Sequence, residues 1–156
     1  MKKTNILKGI LMVSVALLTL AACSKKDKTP VSDKIAGTYS GYTSATFTYT
    51  DKPVVTEGET AVITKAGANT VNLTLTSAKW GTATLANVTV TQGNTAALTG
   101  SGTVAMPGMG GTVSNYDCTL DGTVATDRSS ASLNINVPAV MGGVKIAFRT
   151  GKPSKQ

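Results

Sequence analysis

Strict two-residue alternation is the feature that most limits what this chain can fold into. Val71, Leu73 and Leu75 interleave with Asn72, Thr74 and Thr76; Leu133, Ile135 and Val137 with Asn134 and Asn136; Val144, Ile146 and Phe148 with Lys145 and Ala147. Successive side chains of a strand point to opposite faces, so each stretch reads as a half-buried strand with one wet face. No long stretch spaces its apolar residues as a helix would, and threonine and valine, both β-branched, dominate the composition. The pattern predicts eight strands at 37–49, 59–65, 70–77, 84–91, 95–105, 113–125, 130–137 and 144–150. Short polar turns, AGAN at 66–69, QGN at 92–94 and TDRS at 126–129, separate several of them. Asp121-Gly122 is a favoured hairpin dipeptide, but Leu120, Gly122 and Val124 keep the alternation, so the sixth strand is expected to run through it. The expected fold is all-β, an eight-stranded antiparallel up-and-down barrel. Closure removes exposed sheet edges, and eight strands enclose room for side chains or one small ligand. A β-sandwich is the alternative.

The amino terminus has a different logic. MKKTNILK is a basic segment, GILMVSVALLTL is uncharged and too short to span a bilayer comfortably, and Leu20-Ala21-Ala22-Cys23 has the form of a lipobox. Residues 1–22 are therefore expected to be a lipoprotein signal peptide and Cys23 the lipidated residue, with 23–34 a flexible tether and 35–156 the barrel domain. Lipid on Cys23 would be the membrane contact, and the expected address is the bacterial envelope, at the periplasmic face of the outer membrane. The formal charge of +7 is then misleading. Lys2, Lys3 and Lys8 leave with the signal peptide, Lys25, Lys26 and Lys28 sit beside the anchor, and from Val31 onward nine basic residues face seven acidic ones. A fold so nearly neutral has no basic stripe for nucleic acid.

Two turns are unusually apolar: VAMPGMGG at 104–111 and VPAVMGG at 137–143. In an eight-stranded meander the odd-numbered links share one end of the barrel. That end should gather TDKPVVTEG, the Trp80 segment and both Met-Gly-Gly turns, whereas the three short polar turns close the other end. Trp80, Met106, Met109, Val140 and Met141 are accordingly expected to form an apolar rim with Pro53, and Tyr39 and Phe47 to line the interior. Methionine suits surfaces that adapt to varied apolar partners. The expected function is a non-enzymatic binding module for a small apolar or amphipathic ligand. The alternative is an interaction lipoprotein whose rim docks an envelope protein, and the same side chains could also fold inward and plug the barrel.

Little else offers chemistry. The chain has no histidine, which removes His-dependent nucleophilic catalysis and the commonest metal ligand, and no catalytic residue, cofactor or metal site is expected. Cys23 is consumed by lipidation, so Cys118 has no disulfide partner and its phase with Tyr116 and Leu120 points it into the core. Glu57 and Glu59 flank Gly58 in what reads as a solvated loop, and Asp127-Arg128 sits in a turn where a local ion pair would contribute little. Of seven aromatics, Tyr39, Phe47, Tyr49, Tyr116 and Phe148 fall on the inward phase, leaving only Tyr42 and Trp80 for a glycan platform.

The segments IAGTYSGY, LTLTSAKWGTATLANVTVTQ and LNINVPAVMGGVKIAFRTGK resemble the calycin-like lipoproteins of Gram-negative bacteria, shape relatives of the lipocalins, over most of residues 35–151. Gly37-Thr38-Tyr39 sits where lipocalins open their first strand. The resemblance implies a calycin-type barrel.

Overall fold

The computed structural model describes residues 28–108 and 110–154, so the expected signal peptide, Cys23 and Met109 lie outside the described residues. Eight strands follow one another: β1 (Gly37–Phe47), β2 (Thr50–Gly67), β3 (Thr70–Ser77), β4 (Gly81–Thr91), β5 (Thr95–Pro107), β6 (Val113–Ala125), β7 (Ala131–Val137) and β8 (Val144–Thr150). Each pairs antiparallel with the next, and β8 returns to β1 through Thr43↔Phe148 and Phe47↔Val144, closing the barrel. The fold is the up-and-down barrel and not the sandwich. β6 runs unbroken through Asp121-Gly122, with Leu98↔Gly122 on one side and Gly122↔Leu133 on the other.

The inward phase of every strand supplies the core. Val71, Leu73, Leu85, Val88, Leu98, Leu133, Ile135 and Phe148 are no more than 1% exposed. An eight-stranded barrel is just wide enough for such side chains to meet across its axis, so the chain fills most of its own interior.

Two parts of the fold depart from the sequence expectation. β2 starts at Thr50, nine residues early, and the first link contracts to Thr48–Tyr49. Pro53 and the acidic residues gave this stretch the look of a loop, but β1 supplies it with partners, Ala45↔Val54 and Thr43↔Thr56. Pro53, which cannot donate to a ladder, falls in the register break between Ala45 and Phe47. β3 pairs with β2 only from Thr60 onward, so the first half of β2 has one free edge, carrying the Lys and Pro that commonly blunt such edges. Gly58, at φ +74, forms a bulge opposite Gly41 and Tyr42.

The second departure is a short helix, α1 (Val31–Ile35), where a tether was expected. Val31 and Ile35, one helical turn apart, are 1% and 0% exposed and close the end of the barrel where the second, fourth and sixth links lie. Ser32 Oγ donates to the Ala68 carbonyl (3.0 Å), Tyr39 Oη donates to the Ile35 carbonyl (2.6 Å), and Lys65 Nζ pairs with Asp33 (2.7 Å). Arg128, in the left-handed region at φ +65, donates from Nε to the Lys34 carbonyl and from Nη2 to the Asp33 carbonyl. A cation on the last carbonyls of a helix meets both unpaired acceptors and the negative end of the dipole. Val31–Ile35 thus belong to the packed fold, and this end is sealed by apolar side chains instead of being merely polar and wet.

Candidate ligand mouth

The opposite end is built by four turns. Ser77 Oγ accepts from the amides of Lys79 and Trp80, which fixes the β3–β4 turn and the aim of the indole. The β7–β8 turn carries three consecutive positive-φ residues, Met141 (φ 49), Gly142 (φ 75) and Gly143 (φ 114). A left-handed methionine is uncommon, and such a conformation persists where surrounding contacts hold it. Here the β1–β2 turn does so: Thr48 Oγ1 donates to the Gly142 carbonyl (2.8 Å), and Tyr49 Oη donates to Met141 Sδ (2.8 Å).

Between these turns lies a cleft of about 340 Å³, lined chiefly by Phe47, Trp80, Met106, Tyr116, Val140 and Met141. Phe47 packs on Trp80 with ring centroids 5.5 Å apart, and Tyr49 stacks on Phe47 at 5.8 Å. Lys79 Nζ sits 5.8 Å from the centre of the indole, the one charge at the edge of an apolar lining. Trp80 Nε1 is buried and bonds to no protein group. Of the large hydrophobics exposed among the described residues, Tyr49, Val113 and Met141 lie on links or strand ends at this mouth, and Val55 lies within β2.

Of the expected rim, the structure brings Trp80, Met106, Val140 and Met141 together, and Met109 falls outside the described residues. They do not play one part. Met106 is turned inward at 7% exposure and floors the cleft, Val140 is half-buried, and Met141 stands open at 57%. Pro53 is exposed on β2 and does not line the cleft. Phe47, expected in the interior, belongs to the mouth, because it ends β1 just before the turn. Tyr39 is buried as expected but at the far end, with its hydroxyl on α1. Tyr49, assigned to the inward phase, is 65% exposed, since β1 stops at Phe47 and the turn breaks the alternation. Tyr116, Lys79 and Pro107 join the lining without having been singled out for it, although Met106↔Ser114 and Val104↔Tyr116 pairing places them there.

The remaining titratable groups fall elsewhere. Glu57 and Glu59 are strand residues and not a solvated loop; the bulge leaves Glu57 exposed while Glu59 is 1% exposed, so the two carboxylates do not converge. Asp127 Oδ1 accepts from the Ser129 amide (2.9 Å), and this bonding to Ser129 holds its carboxyl below the usual range, while Arg128 turns to α1 instead of pairing with it. Cys118 is 2% exposed, and burial pushes its thiol above the ordinary value. A buried neutral thiol is a poor nucleophile, so Cys118 is expected to resist iodoacetamide at neutral pH while folded and to react on denaturation; labelling in the native state, followed by mass, would contradict this. The upward shift also means that stability is full below the ordinary thiol pKa and declines as pH rises through the folded one.

A closed eight-stranded antiparallel barrel, filled along its axis, sealed at one end by a helix and opening into an apolar cleft at the other, is a calycin-type architecture. The family model described as the calycin-like beta-barrel domain matches residues 35–151, and the chain belongs to that family. Among solved structures it is similar to the crystal structure of a proposed outer membrane protein from Bacteroides fragilis, with 31% sequence identity and a TM-score of 0.65. That similarity covers 79% of this chain but 46% of the other, so the chain spans about half the length of its structural relative. No curated protein matches it.

Proposed function

We propose that this barrel is a non-enzymatic binding module, held at the bacterial envelope by lipid on Cys23, that takes a small apolar or amphipathic molecule in the cleft at its mouth. The observation that carries the reading is the joining of Phe47, Trp80, Met106, Val140 and Met141, drawn from four separate turns and strand ends, around one apolar cleft of about 340 Å³. Concave, mostly apolar sites with a few polar groups at the edge are the usual form of small-molecule sites. Because the axis is packed with leucine, isoleucine and valine, the ligand lies in the mouth and not deep in the barrel, and Lys79 at the edge favours a polar or anionic head there. Similarity to a proposed outer membrane protein supports the envelope address. α1 lies at the end away from the mouth, so a lipid anchor ahead of Lys28 would leave the cleft facing away from the membrane.

Trp80, the only tryptophan in the chain, reports on the cleft directly. Titrating residues 24–156 with N-phenyl-1-naphthylamine should quench Trp80 emission through energy transfer, with saturation. Met141→Ser should weaken that binding by roughly 3–10-fold, as expected for losing part of one apolar side chain's contact, and should leave the melting temperature nearly unchanged because Met141 is exposed. Unsaturable quenching, or the same affinity in Met141→Ser, would count against the mouth. The second reading, a rim that docks an envelope protein, draws on the exposed Tyr49, Val113 and Met141 at the same end as the cleft.

A further inference from the structure

The bulge in β2 leaves a set of polar side chains inside the barrel wall with nothing to bond. Glu59 shares its face of β2 with Ala61 and Ile63, which are 0% and 1% exposed, and its partner across the ladder is Gly41, which has no side chain to cover it. On the same faces of the two strands, fully buried Thr43 lies opposite Thr56. Both carboxylate oxygens of Glu59 and the hydroxyls of Thr43 and Thr56 are buried, and none has a hydrogen-bond partner. Direct and diagonal neighbours on one face of an antiparallel pair stand about 5–8 Å apart, so these groups are neighbours on one inward face, with no hydrogen bond between them. Among the described residues no lysine or arginine is buried, and Lys152, which lines an outer-wall cleft together with Glu59, is exposed.

A buried carboxylate with neither a positive partner nor donors is one of the costliest arrangements in a protein interior. What relieves it must bring charge or donors, and must be small. A cleft of about 400 Å³ on the outer wall, lined by Gly41, Glu57, Gly58, Glu59 and Lys152 among others, reaches Glu59 from outside. One carboxylate and two hydroxyls match a single positive charge. They are too few for calcium, which asks for six to eight oxygens and usually several carboxylates, and Glu57 is exposed on the other side of the bulge. We propose that Glu59, Thr43 and Thr56 form an interior site for a small monovalent cation, the carboxylate meeting its charge and the hydroxyl oxygens completing its shell. The same three acceptors suit a free alkali or ammonium ion and the protonated primary amine of a larger molecule. The site is separate from the mouth, so its failure would leave the mouth untouched.

Thermal melting of the full chain in nonionic detergent tests it, with potassium, sodium, ammonium or butylammonium chloride set against tetramethylammonium chloride at equal ionic strength. Tetramethylammonium is bulky and has no N–H to give. At least one of the smaller cations should raise the melting temperature in a saturable way. Glu59→Gln, which keeps the size and removes the charge, should weaken that response by roughly 10–100-fold, the loss expected for charged hydrogen bonds. Thr43→Val should weaken it less and provides the test should Glu59→Gln fail to fold. A response to potassium, sodium or ammonium identifies a free-ion site, and a response to butylammonium alone identifies an amine head; either supports the proposal. Equal melting in all five salts, or an undiminished response in both variants, would overturn it.

Discussion

Gly81→Ala is expected to destabilise the protein by about 2–6 kcal/mol, combining a left-handed-backbone penalty and an overpacking penalty of about 1–3 kcal/mol each. Gly81 sits at φ +82 where β4 leaves the Trp80 turn, and a Cβ there would collide with the carbonyl oxygen of Ala105 and come within 3.2 Å of the Met106 Cα. No flexible side chain can move aside, because the obstacle is the backbone of β5. Relief requires β4 and β5 to part at the level of Met106, so the cleft should lose probe affinity together with stability. Gly110→Ala is the matched control: at φ +90 with nothing within 4 Å of its Cβ, it carries the backbone penalty alone. Urea unfolding of the two variants should separate them clearly, and similar midpoints would mean that β5 does not approach Gly81 so closely.

Ile35→Ala should cost about 2–5 kcal/mol, the range for truncating a buried isoleucine when its surroundings collapse only in part. For a domain of this size that corresponds to a fall of roughly 10–20 °C in melting temperature. Ile35 is 0% exposed, and its carbonyl also receives the Tyr39 hydroxyl, so the truncation loosens α1 and the barrel end it closes. A residue in a flexible tether could be truncated with almost no change. An unchanged melting temperature would therefore detach α1 from the fold and move the boundary of the packed domain past Ile35.

That boundary shows how far alternation carries. Period-two patterning identifies which face a side chain occupies, and it located the eight strands and the closed meander because each strand has one apolar face. It is blind to α1, which is five residues long and offers a single Val31–Ile35 pair, too little for a helical period. It also misses the first half of β2, where Pro53 and the acidic residues carry loop chemistry and strand conformation comes from pairing with β1. Glu59 reads as solvated in the sequence for a related reason: charge is a strong indicator of exposure, and only the register of a bulge places that carboxylate inside. At the mouth, the parity of the links was enough to gather Trp80, Met106, Val140 and Met141, since successive links of a meander must alternate ends. Depth was not legible. Phe47 and Tyr39 share the inward phase of β1, yet one lines the mouth and the other meets α1, because alternation reports a face and not a height along the axis.

In the proposed binding mode, ligands enter the mouth and stop above the packed axis. Methyl-labelled NMR of residues 24–156 tests it most directly, because every methionine in that span belongs to the two apolar turns. On addition of N-phenyl-1-naphthylamine the Met106 and Met141 methyls should shift in a saturable way while Ile35 and Ile63, near the sealed end, stay fixed. Shifts at Ile63 and Leu73 with both methionines unmoved would place the ligand inside the barrel and contradict the account.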